Sequence, residues 1–232
     1  PSTSDYSLYG RKFWEIQRFG NNWVLQHVTY KQTNEYAGLE NILLWEGGIG
    51  RLSKNSKAAI RGEGAHGHKG VVITQTRQLP AALYLGKFFD NNVAILALNN
   101  PNYISALWCY CSSEEYHFDV RKLDEKLGVT NATLAKVPFD LSHWTKVAEE
   151  RYPNGLPKPY SDDLTQWIFH GHPCGSVVWD EELKLTTHGS LRSDDTVLQV
   201  AVARLLGYRW PAELDVNMEL ADEQREWVKR CE

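Results

Sequence analysis

Long apolar runs are the first thing this chain lacks. Nothing in its 232 residues approaches the roughly 18 consecutive apolar residues that read as a transmembrane helix. The amino terminus also has no basic-then-apolar signal pattern, so no membrane partner is expected. Cysteine is sparse: Cys109, Cys111, Cys174 and Cys231 fit no disulfide framework, and a chain of this size needs none. A reducing cytoplasm is the compartment these absences point to. Methionine occurs once, at Met218, and the chain opens on Pro1-Ser2-Thr3-Ser4 while a helical pattern still runs at Arg230-Cys231-Glu232. An excised piece of something longer is the expectation. No glycine-rich phosphate cradle follows a strand, and there is no serine-nucleophile elbow, so neither a cofactor nor a catalytic group is expected in this segment.

What is present supports a core. Hydrophobic residues make up 42% of the chain and aromatics 12%, which excludes wholesale disorder and allows one large domain or two small ones. The net charge of −4 argues at first against a polyanionic partner. Its distribution argues otherwise. Residues 10–87 hold 11 Lys/Arg against 5 Asp/Glu, and residues 141–232 hold 10 against 16. A basic amino-terminal part with an acidic tail suits a module that faces a polyanion within a larger assembly.

The first ninety residues read mainly as strands and loops. Phe13 to Ile16 and Trp23 to Val28 are expected as strands around a Gly20-Asn21-Asn22 turn, and Ile42 to Trp45 as another. The stretch from Gly62 to Gly70 has four glycines in nine residues and reads as a loop that releases the strand Val71–Thr74. The apolar run from Asn92 to Leu98 is expected to be a strand buried on both faces. Pro101 after Asn100 opens a helix with Ile104, Leu107, Trp108 and Cys111 on one face. Ser112-Ser113 before Glu114-Glu115 opens a second, with Tyr116, Val120, Leu123 and Leu127 in a stripe and Gly128 as its stop. Val129 to Phe139 reads as a short strand. Pro153, Pro157, Pro159 and Pro173 mark a connector. Beyond it come a hairpin (Ser176 to Thr187, turning at Asp180-Glu181), a helix capped by Ser193-Asp194-Asp195 and ended by Gly207, and a last helix over residues 221–231.

Several constellations carry chemistry on paper. Asn100-Pro101-Asn102-Tyr103 is close to the Asn/Asp-Pro-Pro-Tyr/Phe loop with which amino-methyltransferases hold a flipped adenine, but the second proline is missing and the stretch reads as a helix start. Asp162 or Asp163 with Glu182-Leu183-Lys184 matches the metal-holding carboxylates and lysine of many nucleases, a pattern that arises readily in a chain 23% charged. His170, His172 and Cys174 lack the partner pair a zinc site needs, and Cys109 and Cys111 diverge on a helix; no metal site is expected. The basic, glycine-rich residues 51–69 stand out. Arg51, Lys54, Lys57, Arg61, His66, His68 and Lys69 lie there, with Gln75 and Arg77 just after. Arg and Lys contact phosphates or guanine edges, Gln pairs with adenine, and glycine lets backbone approach a duplex. These nine are the candidate DNA-binding residues.

Longer stretches carry a resemblance. Lys69 to Ile73 through Leu79-Pro80, Phe89 to Ala94, Leu107-Trp108-Cys109-Tyr110-Cys111-Ser112-Ser113 and Val129 to Asp140 resemble the target-recognition region of large adenine-specific restriction–modification DNA methyltransferases, related to the TaqI-like specificity domain and to type I specificity subunits. Tyr152 to Pro157 and Leu198 to Tyr208 resemble the part that follows. The resemblance covers most of the chain from about Trp45. It implies an α+β fold with a strand-rich recognition domain and flanking helices (residues 1–145), then a proline-rich connector (146–175), then a hairpin and mainly helical region (176–232). It implies double-stranded DNA as partner, together with the methyltransferase catalytic domain of the same parent chain. That parent would transfer a methyl group from S-adenosylmethionine to adenine-N6 in bacterial DNA. The rival readings are a metal-dependent nuclease and a protein-interaction scaffold using the nine tryptophans.

Overall fold

The computed structural model describes residues 2–16, 19–76, 78–157, 177–180, 185–188, 196–218 and 222–230. Its content is mixed α and β. The amino-terminal strands are β1 (Gly10–Lys12), β2 (Trp23–His27), β3 (Asn41–Leu44), β4 (Gly70–Thr74), β5 (Ala81–Tyr84), β6 (Phe88–Phe89) and β7 (Val93–Ala97). They form two sheets. One has the order β1-β3-β2-β6, with β6 parallel to β2 and the other pairs antiparallel; the other has the order β5-β4-β7 and is antiparallel.

β4 is the centre of the three-stranded sheet and is buried along its whole length. Alternation sorts its side chains. Val71 and Ile73 join Ala81, Leu83 and Ala94 under the helices, whereas Val72 faces the other way with Ala82, Tyr84 and Val93. Gly70 sits against β7 so closely that a Cβ would stand 2.1 Å from the Leu96 carbonyl oxygen, which explains the glycine. The run expected to be buried on both faces, β7, is instead an edge: Ile95 and Leu96 are half-buried and Ala97 is exposed. Strand order decides this, because β4 has a partner on each side and β7 has one.

The strand expected at Phe13–Ile16 lies one element earlier, in β1. Phe13–Glu15 forms a one-turn 3-10 helix, since the Glu15 carboxylate reaches back to accept from the Lys12 backbone N–H at 2.6 Å. β1 and β2 do not pair with each other; β3 lies between them.

Five helices follow the chain to residue 151: α1 (Tyr6–Tyr9), α2 (Ile104–Cys111), α3 (Glu114–Leu123), α4 (Asn131–Leu134) and α5 (Leu141–Arg151). Asn100, Ser113, Thr130 and Asp140 cap a 3-10 turn at Pro101–Tyr103, α3, α4 and α5 with their side-chain oxygens. The single apolar face expected of α2 is too narrow: Ala106 to Cys111 are all buried. The sheet lies on one side of α2, and α3 and α5 cover others. Tyr110 packs its ring against Tyr116, Phe139 and Trp144, and the Trp108 indole N–H donates to the Tyr152 hydroxyl at 3.1 Å.

Two local expectations fail here. α3 ends at Leu123, leaving Leu123 and Leu127 exposed, because the Asp124 carboxylate accepts from the Lys126 N–H and turns the chain. Gly128 then bridges to Thr76 rather than capping α3. The strand expected at 129–139 is a turn of helix, α4, set off by the Thr130 cap. α5 runs without a break from Leu141 to Arg151.

In the carboxy-terminal part, β8 (Val177–Asp180) and β9 (Leu185–His188) pair antiparallel as the expected hairpin, and α6 (Thr196–Leu205) and α8 (Asp222–Arg230) match the expected helices. A short α7 (Pro211–Leu214) lies between them. Tyr208 and Trp210 cluster with Phe13 of the 3-10 turn, Leu39 ahead of β3 and Ile42 of β3. Arg204 stacks over the Trp210 ring at 4.0 Å and pairs with the buried Glu213. The connector prolines Pro159 and Pro173, the hairpin turn at residue 181 and the cap at 193–195 lie outside the described residues.

Candidate nucleic-acid interface

The basic segment begins where β3 ends. Trp45 leads into a 3-10 turn at Glu46–Gly48, in which Gly47 and Gly48 have φ of 67° and 82°. The Glu46 carboxylate then accepts from the Arg51 backbone N–H at 2.8 Å. Leu52 is fully buried with Tyr9 and Leu43. Asn55 donates to the Ser4 hydroxyl at 3.2 Å, and Ala59 pairs with Ser2 through two backbone bonds of 2.8 and 2.9 Å. Further on, the Gly67 N–H donates to the Gly86 carbonyl at 3.1 Å. Apolar and backbone anchors thus hold the segment to the sheet at intervals.

Between those anchors the cations point outward. Arg51, Lys54, Lys57, Arg61, His68 and Lys69 are all exposed. None of the five Lys/Arg side chains forms an ion pair with a described residue. A Cβ added at Gly64 or Gly67 would meet nothing within 4 Å, so the backbone is open to approach there. Free charge, exposed backbone and a fixed support are what a phosphate-tracking surface requires.

The other three candidates are placed differently. His66 sets its ring edge-on to Phe88 and Phe89, with centroids 4.6 and 5.7 Å away. Its Nε2 is buried without a partner among the described residues, and burial holds its pKa below the usual histidine value. It packs the segment onto β6. Gln75 follows the far end of β4, about 20 Å of strand from Lys69 at roughly 3.3 Å per residue. Its Nε2 donates to the Val129 carbonyl at 3.0 Å and to Asn131 Oδ1 at 2.8 Å, tying β4 to the turn before α4. Arg77 lies outside the described residues.

The anchors of the segment also form the rim of an open polar cleft of about 510 Å³, which the sequence reading did not single out. Lys12, Gln26 and Asn41 line it, residues that become neighbours only through the register of β1, β3 and β2.

The remaining constellations resolve as follows. Asn100 is a cap: its side chain accepts from the Asn102 N–H at 3.0 Å, with Pro101 at the first position of the turn. Cys109 and Cys111 are buried in α2 as free thiols, and burial raises the pKa of both. Among the described residues no three His, Cys, Asp or Glu side chains gather as a metal site. Asp162, Asp163, Glu182, Lys184, His170, His172 and Cys174 lie outside the described residues. The six tryptophans whose side chains are described, at 14, 23, 45, 108, 144 and 210, are buried or half-buried and make no exposed aromatic patch. No described helix is long and apolar enough to cross a membrane. No protein-family model matches this chain, and no match to it is found among curated proteins.

Proposed function

We propose that this chain is the DNA target-recognition segment of an S-adenosylmethionine-dependent adenine-N6 DNA methyltransferase of a restriction–modification system, working in the bacterial cytoplasm. One observation carries the DNA part of the proposal: the anchored segment 51–69 exposes Arg51, Lys54, Lys57, Arg61 and Lys69 without ion-pair partners among the described residues. The likeness of residues 69–140 to the recognition region of such enzymes supports the rest. In this reading the cations grip the phosphate backbone and set the register of the duplex. The parent's catalytic domain, on the same chain, would bind the cofactor and transfer the methyl group. This segment would bring no catalytic group of its own.

The test is salt dependence. Replacing Lys54, Arg61 and Lys69 together by alanine is expected to weaken duplex binding and flatten its log–log salt slope by roughly 0.9 per lost phosphate contact. Replacing Arg225, Lys229 and Arg230 on α8, in the acidic tail, is expected to change the slope far less. Fluorescence anisotropy across a salt series reads both. Equal losses from the two triple variants would reject the basic segment as the DNA face.

A further inference from the structure

The four-stranded sheet changes character along one face. Lys12 on β1 stands opposite Asn41 on β3, and Gln26 on β2 stands opposite the same Asn41. Directly paired residues share a face, so the three form a polar row across the sheet. Two residues along, the same face carries Val24 and Leu43 in an apolar cluster. The polar end faces the cleft of about 510 Å³, within the roughly 300–1,000 Å³ of small-molecule sites. Asp90 and Asn91, from the turn after β6, and Tyr6 of α1 line it too.

Two members of this polar row are buried and the third, Lys12, is half-buried. Gln26 is 2% exposed and Asn41 is 7% exposed, and the Asn41 Oδ1 has no hydrogen-bond partner among the described residues. An apolar pair would pack a sheet interior without leaving an acceptor unmet, and a buried acceptor without a donor asks for a ligand or water to meet it. The lining balances one ammonium against one carboxylate and otherwise offers serine, threonine and tyrosine hydroxyls and the carboxamides of Gln26, Asn41 and Asn91, each able to donate and to accept. A neutral planar edge with alternating donors and acceptors matches that set. The rim supplies the complementary part. Ser2 and Ser4 line the cleft and are hydrogen-bonded to Ala59 and Asn55. Lys54, Lys57 and Arg61 each lie within two positions of one of those two residues along the chain. A neutral edge joined to an anion is the composition of a nucleotide.

We propose that the cleft is a nucleobase-binding site for an unpaired base with an exocyclic amino group. That amino group meets the acceptor of Asn41, and Gln26 and Asn91 hold the rest of the edge, as carboxamides do with adenine. The half-exposed Tyr6 ring offers a stacking surface at the rim. The phosphate lies on Lys54, Lys57 and Arg61. The choice of a nucleotide rests on the proposed nucleic-acid role of the basic segment. A free nucleotide and a base presented by a strand share this chemistry.

Adenosine monophosphate and ribose phosphate, which lacks the base, are titrated into the isotope-labelled chain. Adenosine monophosphate is expected to shift the side-chain amide resonances of Gln26, Asn41 and Asn91, and ribose phosphate to leave them in place. Asn91→Ala, at an exposed turn position, is expected to weaken the mononucleotide about fivefold, the size of one neutral hydrogen bond. The salt slope of duplex binding is expected to stay unchanged in that variant. Equal shifts from both ligands, or no shift of the three amides by adenosine monophosphate, would overturn the site. An oligonucleotide with one unpaired fluorescent adenine analogue separates the sources: a change in the analogue's emission on binding that is lost in Asn91→Ala assigns the base to a strand, and unchanged emission on binding assigns a free nucleotide. The basic-segment reading fails separately, on the salt slope of the Lys54, Arg61 and Lys69 variant, whose readout contains no unpaired base.

Discussion

His27 should make this fold sensitive to mild acid. It ends β2, its side chain is completely buried, and neither ring nitrogen has a partner among the described residues. Its ring lies 5.6 Å from that of Tyr84. Burial, aided by the nearby Lys87 ammonium, lowers its pKa from 6.5 to about 3. The folded state therefore holds the imidazole neutral, while the unfolded chain takes up a proton below pH 6.5. Stability is undiminished above 6.5 and falls as pH drops from there toward the folded value. At about 1.4 kcal/mol per pH unit below the unfolded pKa, the loss between pH 7 and pH 5 comes to about 2 kcal/mol. The assay is urea denaturation at pH 7, 6 and 5 of the parent chain and of His27→Leu. The variant removes the titrating group, so its stability relative to the parent is expected to rise by about 2 kcal/mol toward pH 5. His66 and His117, whose pKa values burial also lowers, are common to both proteins and cancel in the difference. A difference that stays constant across the range would refute the neutral, buried assignment of His27.

Two further substitutions, one with a control, probe the packing. Arg204→Met leaves the Glu213 carboxylate, 3% exposed, without its partner and is expected to lower stability by about 3–5 kcal/mol in denaturant titrations, with the Trp210 fluorescence shifted as its stacked guanidinium is lost. Gly70→Ala drives a methyl group into the Leu96 carbonyl and is expected to lower stability by about 1–3 kcal/mol, whereas Gly64→Ala, which meets nothing, should leave the melting temperature unchanged.

What could be read from the sequence was local. Val71 to Thr74 follow a glycine as a β-branched run, and they form β4. Asn100 and Ser113 stand before helical stretches and cap them. What could not be read depended on neighbours. β7 has the more continuous apolar run, yet β4 takes the centre, because centrality depends on how many strands pair rather than on composition. α2 is buried all round because β4, α3 and α5 close on it from several sides, which a one-face pattern cannot foretell. α5 was legible and missed: Asp140 is a cap, and Leu141, Trp144, Val147 and Ala148 follow at helical spacing.

The same division runs through the candidate site. Charge and glycine are properties of composition, so the exposed cations of residues 51–69 could be named in advance. Residue type alone could not separate the two glutamines. Gln75, beside the basic segment in sequence, has both amide hydrogens engaged by Val129 and Asn131. Gln26, which no motif marks, lines the cleft beside an Asn41 whose oxygen meets no donor among the described residues. A one-residue slip of β2 against β3 would turn Gln26 to the opposite face and replace it with Leu25 or His27. The apolar set on the other face, Leu25 with Phe13 and Ile42, holds the register that prevents this slip. The core thus determines which amides face the cleft, and a change in that packing would alter the chemistry of the cleft without touching any of its lining residues.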